Sequence, residues 1–196
     1  MTSGRKYFLF YAVLAMASGA ALANAQEVPI DIVTLKAGVL SQTNAYRKSK
    51  NLPELKPNAS LDTAAQAYAV FLAQNDKTGH TADGSTHAKR AYAQGYKWCF
   101  VAENLWYAWN GRGINPLMVD DAARKAMEGW KKSPAHNANL LEARVYDIGI
   151  GAASWKQPNG KEAYRVVQMF GHECPGKPRP APTAGEILDS AVQALR

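Results

Sequence analysis

From Ile32 to Lys48 the apolar residues recur at helical spacing. Ile32, Leu35, Val39 and Tyr46 can share one broad face, with Asn44 and Arg47 beside it, so this pattern predicts a first helix. Asn51-Leu52-Pro53 breaks it, and the two-proline segment NLPELKPNAS is expected to be a loop. Ser60 is a favourable N-cap for a second helix over 61–75, whose alanine-rich run LDTAAQAYAVFLAQN sets Leu61, Ala65, Tyr68 and Leu72 along one side. Residues 77–84 are rich in turn formers, and 86–94 reads as a short helix ended by Gly95. The stretch KWCFVAENLWYAWNGRG reads as an aromatic-dense loop. A helix is predicted over 116–132, with Asp120 and Asp121 early and Lys131 and Lys132 late, the order a helix dipole favours, and Pro134 is expected to stop it. The period then changes. Val145, Ile148 and Ile150 open a strand that runs to Ser154, Pro158-Asn159-Gly160 is a turn, and 163–171 is a second strand, together an antiparallel hairpin. Helices in the first half and a hairpin in the second predict an α+β domain.

The two ends follow other rules. Arg5 and Lys6, the apolar run YFLFYAVLAMASGAALA and the small-x-small Ala23-Asn24-Ala25 match a signal peptide over 1–25, cleaved before Gln26. The run is short for a membrane span and no other stretch is apolar enough, so the mature chain is expected to be secreted or periplasmic, with no transmembrane segment after cleavage. Arg5 and Lys6 leave with the signal, which takes the formal charge from +7 to +5. These charges are scattered rather than blocked, and nothing resembles the aromatic-basic array of a nucleic-acid binder. In an oxidising compartment the two cysteines, Cys99 and Cys174, are most simply one disulfide. Beyond Cys174, PGKPRPAPT supplies a proline-rich linker over 175–182. Thr183 and Glu186 then form a capping box for an amphipathic helix over 183–196, with Leu188, Ala191, Val192 and Leu195 on one side.

Three residues stand out as candidate chemistry. His80 lies in a glycine-flanked loop, His136 follows a proline at a helix end, and Glu103 is an acid among Phe100, Val101, Leu105 and Trp106. A buried carboxylate needs a hydrogen-bond partner or a cleft. Two imidazoles and a carboxylate are the components of a divalent-metal or acid–base site. Their separations in sequence match no compact metal motif, so three separately satisfied polar residues, with Glu103 stapling a loop, is the other reading.

The segments NAYRKSKNLPELKPNASLDTAAQAYAVFLAQND, GHTADGSTHAKRAYAQGY, VAENLWYA and WKKSPAHNANLLEARVYDIGIGAA follow one another as in bacterial CAP domains, relatives of the cysteine-rich secretory proteins, venom allergens and pathogenesis-related proteins. The resemblance runs from about Val33 to Gly171 and assigns 26–174 to one such domain. It implies a three-layer α-β-α sandwich with a central antiparallel sheet. It also implies an open cleft holding His80, Glu103 and His136, with Ser133 beside them where eukaryotic members often carry a second glutamate. In some members such a cleft binds a divalent metal such as zinc, here through His80 and His136, with affinity weakened by the missing carboxylate; no cofactor is required. Glu128 lies about 200° around the helix from Trp130 and is expected to face away. Trp130 reads as a packing anchor, Asn139 as a turn stabiliser, His87 as a surface residue and His172 as a rim residue.

Fold constrains function less than it constrains structure. The leading expectation is an exported protein binding a small hydrophobic or cell-envelope ligand, to which Trp98, Phe100, Trp106, Tyr107 and Trp109 would lend aromatic surface. One alternative is a metal-dependent, peptidase-like hydrolase using His80, Glu103 and His136, with Ser133 as a tempting nucleophile. The other is an extracellular protein-interaction module acting through the basic surface or the terminal helix.

Overall fold

The computed structural model describes residues 31–109 and 121–174. The expected signal peptide, residues 116–120 of the expected fourth helix, the linker and the terminal helix lie outside them.

Helix α1 spans Ile32–Lys48 as the pattern predicts. Its first amides are capped by Asp31, whose carboxylate accepts from Val33 and Thr34. The fully buried stripe is Leu35, Val39, Thr43 and Arg47, at i, i+4 spacing. Arg47 is tolerated there because its guanidinium donates to the carbonyls of Pro53, Leu140 and Glu142 at 2.9–3.0 Å. Lys56–Pro57 forms a two-residue strand, β1, inside the segment expected to be a loop. Helix α2, Ala59–Gln74, starts two residues early. Its cap is Asn58, not Ser60, and Asn58 accepts from the amides of Ser60 and Leu61. Pairing of β1 with a later strand holds Asn58 extended at φ −125°, and the Asn58 amide bonds the Ile148 carbonyl, so tertiary pairing chose between two competent caps. Helix α3 is His87–Ala93, capped by Thr86 and followed by Gly95 at φ 82°.

The aromatic run is not a loop. Trp98–Trp109 is strand β2, and its alternation divides the rings. Phe100 and Trp106 meet one core, while Val101 and Leu105 meet the other. The run looked irregular because both faces of this strand are covered, which erases the polar–apolar alternation of a one-sided strand. Helix α4 is described over Asp121–Lys132. Pro134 ends it but also occupies the first turn of another helix, α5, Pro134–Leu140, where a missing N–H costs nothing. Strands β3, Asp147–Lys156, and β4, Glu162–Glu173, form the expected antiparallel hairpin.

The strand order is β1-β3-β4-β2. All pairing is antiparallel except the two residues of β1 against β3, so the central sheet is mixed only at that margin. One face packs on α1 and α4 through Leu35, Val39, Met127, Trp130, Ile148 and Phe170. The other packs on α2 through Leu61, Ala65, Tyr68, Leu72, Val167 and Met169. The result is an α-β-α sandwich. Helix α2 lies so close to β3 that a Cβ on Gly149 would fall 2.2 Å from the Leu61 carbonyl carbon, and one on Gly151 would fall 2.1 Å from the Ala65 oxygen. The Cys99–Cys174 disulfide forms as expected and ties the start of β2 to the residue after β4. Among the described residues no helix is long and apolar enough to cross a membrane.

Candidate ligand-binding cleft

Strand β2 is an edge of the sheet, and an uncovered edge carries unpaired backbone groups. Here side chains from both helical layers cover it. Asn139 of α5 donates to the Glu103 carbonyl at 3.2 Å, and Trp130 of α4 donates to the Leu105 carbonyl at 2.9 Å. Helix α3 packs from the other face, its buried Ala91 in the core that Val101 and Leu105 join. The candidate site is the place where these layers meet around the edge.

The Glu103 side chain is fully buried and held by three hydrogen bonds from two residues. Arg90 grips both its oxygens at 3.1 and 2.9 Å, and the His80 ring lies 2.8 Å from Oε1 through Nδ1. A carboxylate only accepts, so Nδ1 carries the proton in this pair. Nε2 is then the ring nitrogen turned away from Glu103, on a side chain that is 48% exposed. Arg90 is itself fixed by Asp83 at 2.9 Å and by the His80 carbonyl at 2.9 Å, and its guanidinium stacks 3.4 Å from the centre of the Tyr68 ring. Tyr68 donates to the Gly79 carbonyl and accepts from the Ala82 amide, which holds the loop that carries His80.

His136 sits in α5, not on a bare turn. Its carbonyl accepts from Asn104 at 3.2 Å, and Asn139 reaches the Asn104 side chain at 2.9 Å, so two asparagines fasten α5 to β2 beside Glu103. Asn139 therefore bridges two elements and is not a turn stabiliser. Burial, and then the nearby His80, push the His136 ring below its ordinary pKa. His80 and Glu103 are in direct contact, and the fastening of α5 to Asn104 sets His136 near enough for His80 to act on it. Ser133 caps α5 with its backbone position only. Its side chain makes no cap bond, and no hydrogen bond links it to either histidine.

His87 departs from expectation. It is half-buried, and burial depresses its pKa first, with Glu103 opposing and Arg90 and His80 adding to that shift. Its electrostatic neighbours are Glu103, Arg90 and His80. Arg90 was missed altogether. A signal existed, because a buried acid such as Glu103 demands a cation, and Arg90 is on the helix that follows the His80 loop. His172 packs edge-on to Tyr146 at 5.0 Å, and Glu128 is exposed in a pair with Arg124. Both lie away from the cleft.

The donor set fits a closed zinc site poorly. Glu103 spends its oxygens on Arg90 and His80, which leaves two imidazoles, and among the described residues no group of three or more His, Cys, Asp or Glu is placed to hold a metal. Structural zinc takes about four protein ligands and catalytic zinc about three.

A sheet covered by helices on both faces is the architecture of a CAP domain. The chain belongs to the cysteine-rich secretory protein (CAP) family, whose model matches residues 40–170. Its fold is similar to that of an outer surface protein of Borrelia burgdorferi (TM-score 0.59, 23% identity, 74% of this chain and 97% of that one). It is also similar to an extracellular SCP-domain protein of Bacillus anthracis (0.56, 18%, 71% and 40%) and to a cysteine-rich secretory protein of Staphylococcus aureus (0.51, 19%, 72% and 40%). The match thus spans less than half the length of the latter two. Among curated proteins none matches the sequence.

Proposed function

We propose that this is an exported binding protein whose cleft takes the polar end of a small hydrophobic or cell-envelope ligand between His80 and His136. The carrying observation is the closed Arg90–Glu103–His80 chain. It fixes the His80 imidazole and engages the Glu103 carboxylate, so the site offers oriented hydrogen-bonding groups to a ligand. Export is supported by the family, by the disulfide and by the signal-like first residues, and relatives of this fold include an outer surface protein and an extracellular protein. A second reading, metal-assisted hydrolysis, draws on the same pair, since a carboxylate on Nδ1 is how metal-binding imidazoles are oriented. It would require ligands beyond the two imidazoles. Isothermal titration separates the readings. Heat with myristate that disappears in His80→Ala and His136→Ala supports the binding cleft. Micromolar zinc binding lost in both variants, with no response to myristate, turns the reading to the metal. Myristate binding that survives both substitutions moves the ligand elsewhere and sinks the proposal.

A further inference from the structure

Glu103 and Asn104 are consecutive on β2, so their side chains leave the strand on opposite faces. Glu103 takes the His80 ring on one face, and Asn104 takes the His136 carbonyl on the other. The two histidine-bearing segments are thus fastened to neighbouring residues, and whatever orients Asn104 bears on where His136 stands. The bonds of Asn104 continue inward. Its Nδ2 also donates to Oε1 of Gln168 at 3.4 Å, directly across the β2–β4 register. Gln168 Nε2 donates to the Thr43 hydroxyl of α1 at 2.8 Å, and that hydroxyl donates to the Val39 carbonyl at 2.7 Å. Outward, Asn139 Nδ2 donates to Asn104 Oδ1 at 2.9 Å and to the Glu103 carbonyl at 3.2 Å. Thr43, Asn104 and Gln168 are all fully buried. We propose that Thr43 and Gln168 are positioning residues for His136, which fix the Asn104 amide through one directed hydrogen-bond chain and with it the seat of α5 on the sheet edge.

The direction of the chain supports this. A carbonyl only accepts, so Thr43 gives its proton to Val39 and accepts from Gln168 through the amide nitrogen. Gln168 then turns Oε1 to Asn104, and Asn104 turns Nδ2 inward and Oδ1 to Asn139. The His136 and Glu103 carbonyls at the other end demand the same orientation. Both ends agree, so a flip of any one amide sets donor against donor or acceptor against acceptor. Buried groups that lose a partner have no solvent to turn to, so the chain must give at its weaker end. That end is α5, seven residues with Leu140 as its buried side chain, against the 17 residues and buried four-residue stripe of α1.

Amide hydrogen exchange on the full chain tests this with changes remote from both histidines. Thr43→Val keeps the shape and loses the hydroxyl, and Gln168→Met removes the amide. In each, the amides of Asn137 and Leu141, bonded to the Ser133 and Asn137 carbonyls, are expected to exchange about tenfold faster while those of α2 keep wild-type rates. Thr43→Ser restores the hydroxyl and returns the wild-type rate. The consequence for ligand rests on the binding reading above: myristate affinity falls by about the same factor in the first two variants and holds in Thr43→Ser. Unchanged α5 exchange in either Thr43→Val or Gln168→Met overturns the proposal. So does acceleration that spreads equally over α2, or that Thr43→Ser shares, since either makes the two side chains ordinary core residues. Accelerated α5 exchange with unchanged myristate affinity, or a wild type that binds no myristate, sinks the binding reading alone, because the exchange rates decide the positioning role by themselves.

Discussion

Arg90 decides the state of the cleft more than either histidine does. Its side chain is 8% exposed and the Glu103 side chain 0%, so the pair cannot fall back on water if one member is removed. Breaking a buried pair from one side costs about 3–5 kcal/mol. Arg90→Ala is therefore expected to lower the unfolding free energy by about that amount and to free the His80 ring. Arg90→Ala with Glu103→Gln should recover part of the loss, and denaturant unfolding of the four species would show a coupling far from additive. The two depressed imidazoles make a second prediction. His87 and His136 both hold protons less well when folded, so the unfolded chain binds more protons near and below the ordinary value of about 6.5. Stability is then complete above that value and lost as pH falls through it. Thermal midpoints from pH 7.5 to 5.5 should decline in the wild type and decline less in His87→Gln. An equal decline would mean that other groups carry the pH dependence.

The element scale is governed by how close α2 lies to β3. Gly149 and Gly151 are not there for turns; a side chain at either would occupy the helix backbone. Backbone cannot rotate aside as a side chain can, so Gly151→Ala must push α2 from the sheet. It is expected to destabilise the fold by about 3 kcal/mol, at the upper end of overpacking costs. A measured loss under about 0.5 kcal/mol would show that the layers can separate freely. Ala65, whose carbonyl lies against Gly151, is buried, as are Ala64 and Ala69 of the same helix. The run LDTAAQAYAVFLAQN announced close packing, and Ile-Gly-Ile-Gly in β3 supplies the surface it packs on. The edge strand β2 is settled at this scale too. Its outward carbonyls at Glu103 and Leu105 are satisfied by Asn139 and Trp130, which explains why a helix tryptophan and a helix asparagine accompany this strand.

At the scale of the whole molecule the disulfide joins the sheet edge to the end of the last strand across a loop of 75 positions. In the chain-entropy account such a loop restrains the unfolded chain by about 4.5 kcal/mol. A Cys99→Ala, Cys174→Ala double variant is expected to unfold with about 2–5 kcal/mol less stability. A loss much smaller than that would mean the unfolded state is already compact.

The sequence by itself determined a great deal here. It set α1 to the residue, the β3–β4 hairpin and the cysteine pair, and it singled out His80 and Glu103, which are in contact. Those features rest on short-range signals, namely helical period, alternation and turn residues, or on motif segments quoted in order. What only the tertiary structure decided was whatever depended on a partner distant in sequence. Asn58 displaced Ser60 as cap because β1 found β3. The aromatic run became a strand because β4 lay beside it and helices covered both its faces. His87 turned inward, and Arg90 became the partner of Glu103, because α3 was carried against the sheet edge. Local pattern reports which face of an element is apolar, whereas the identity of what that face meets is set by packing among elements far apart in the chain.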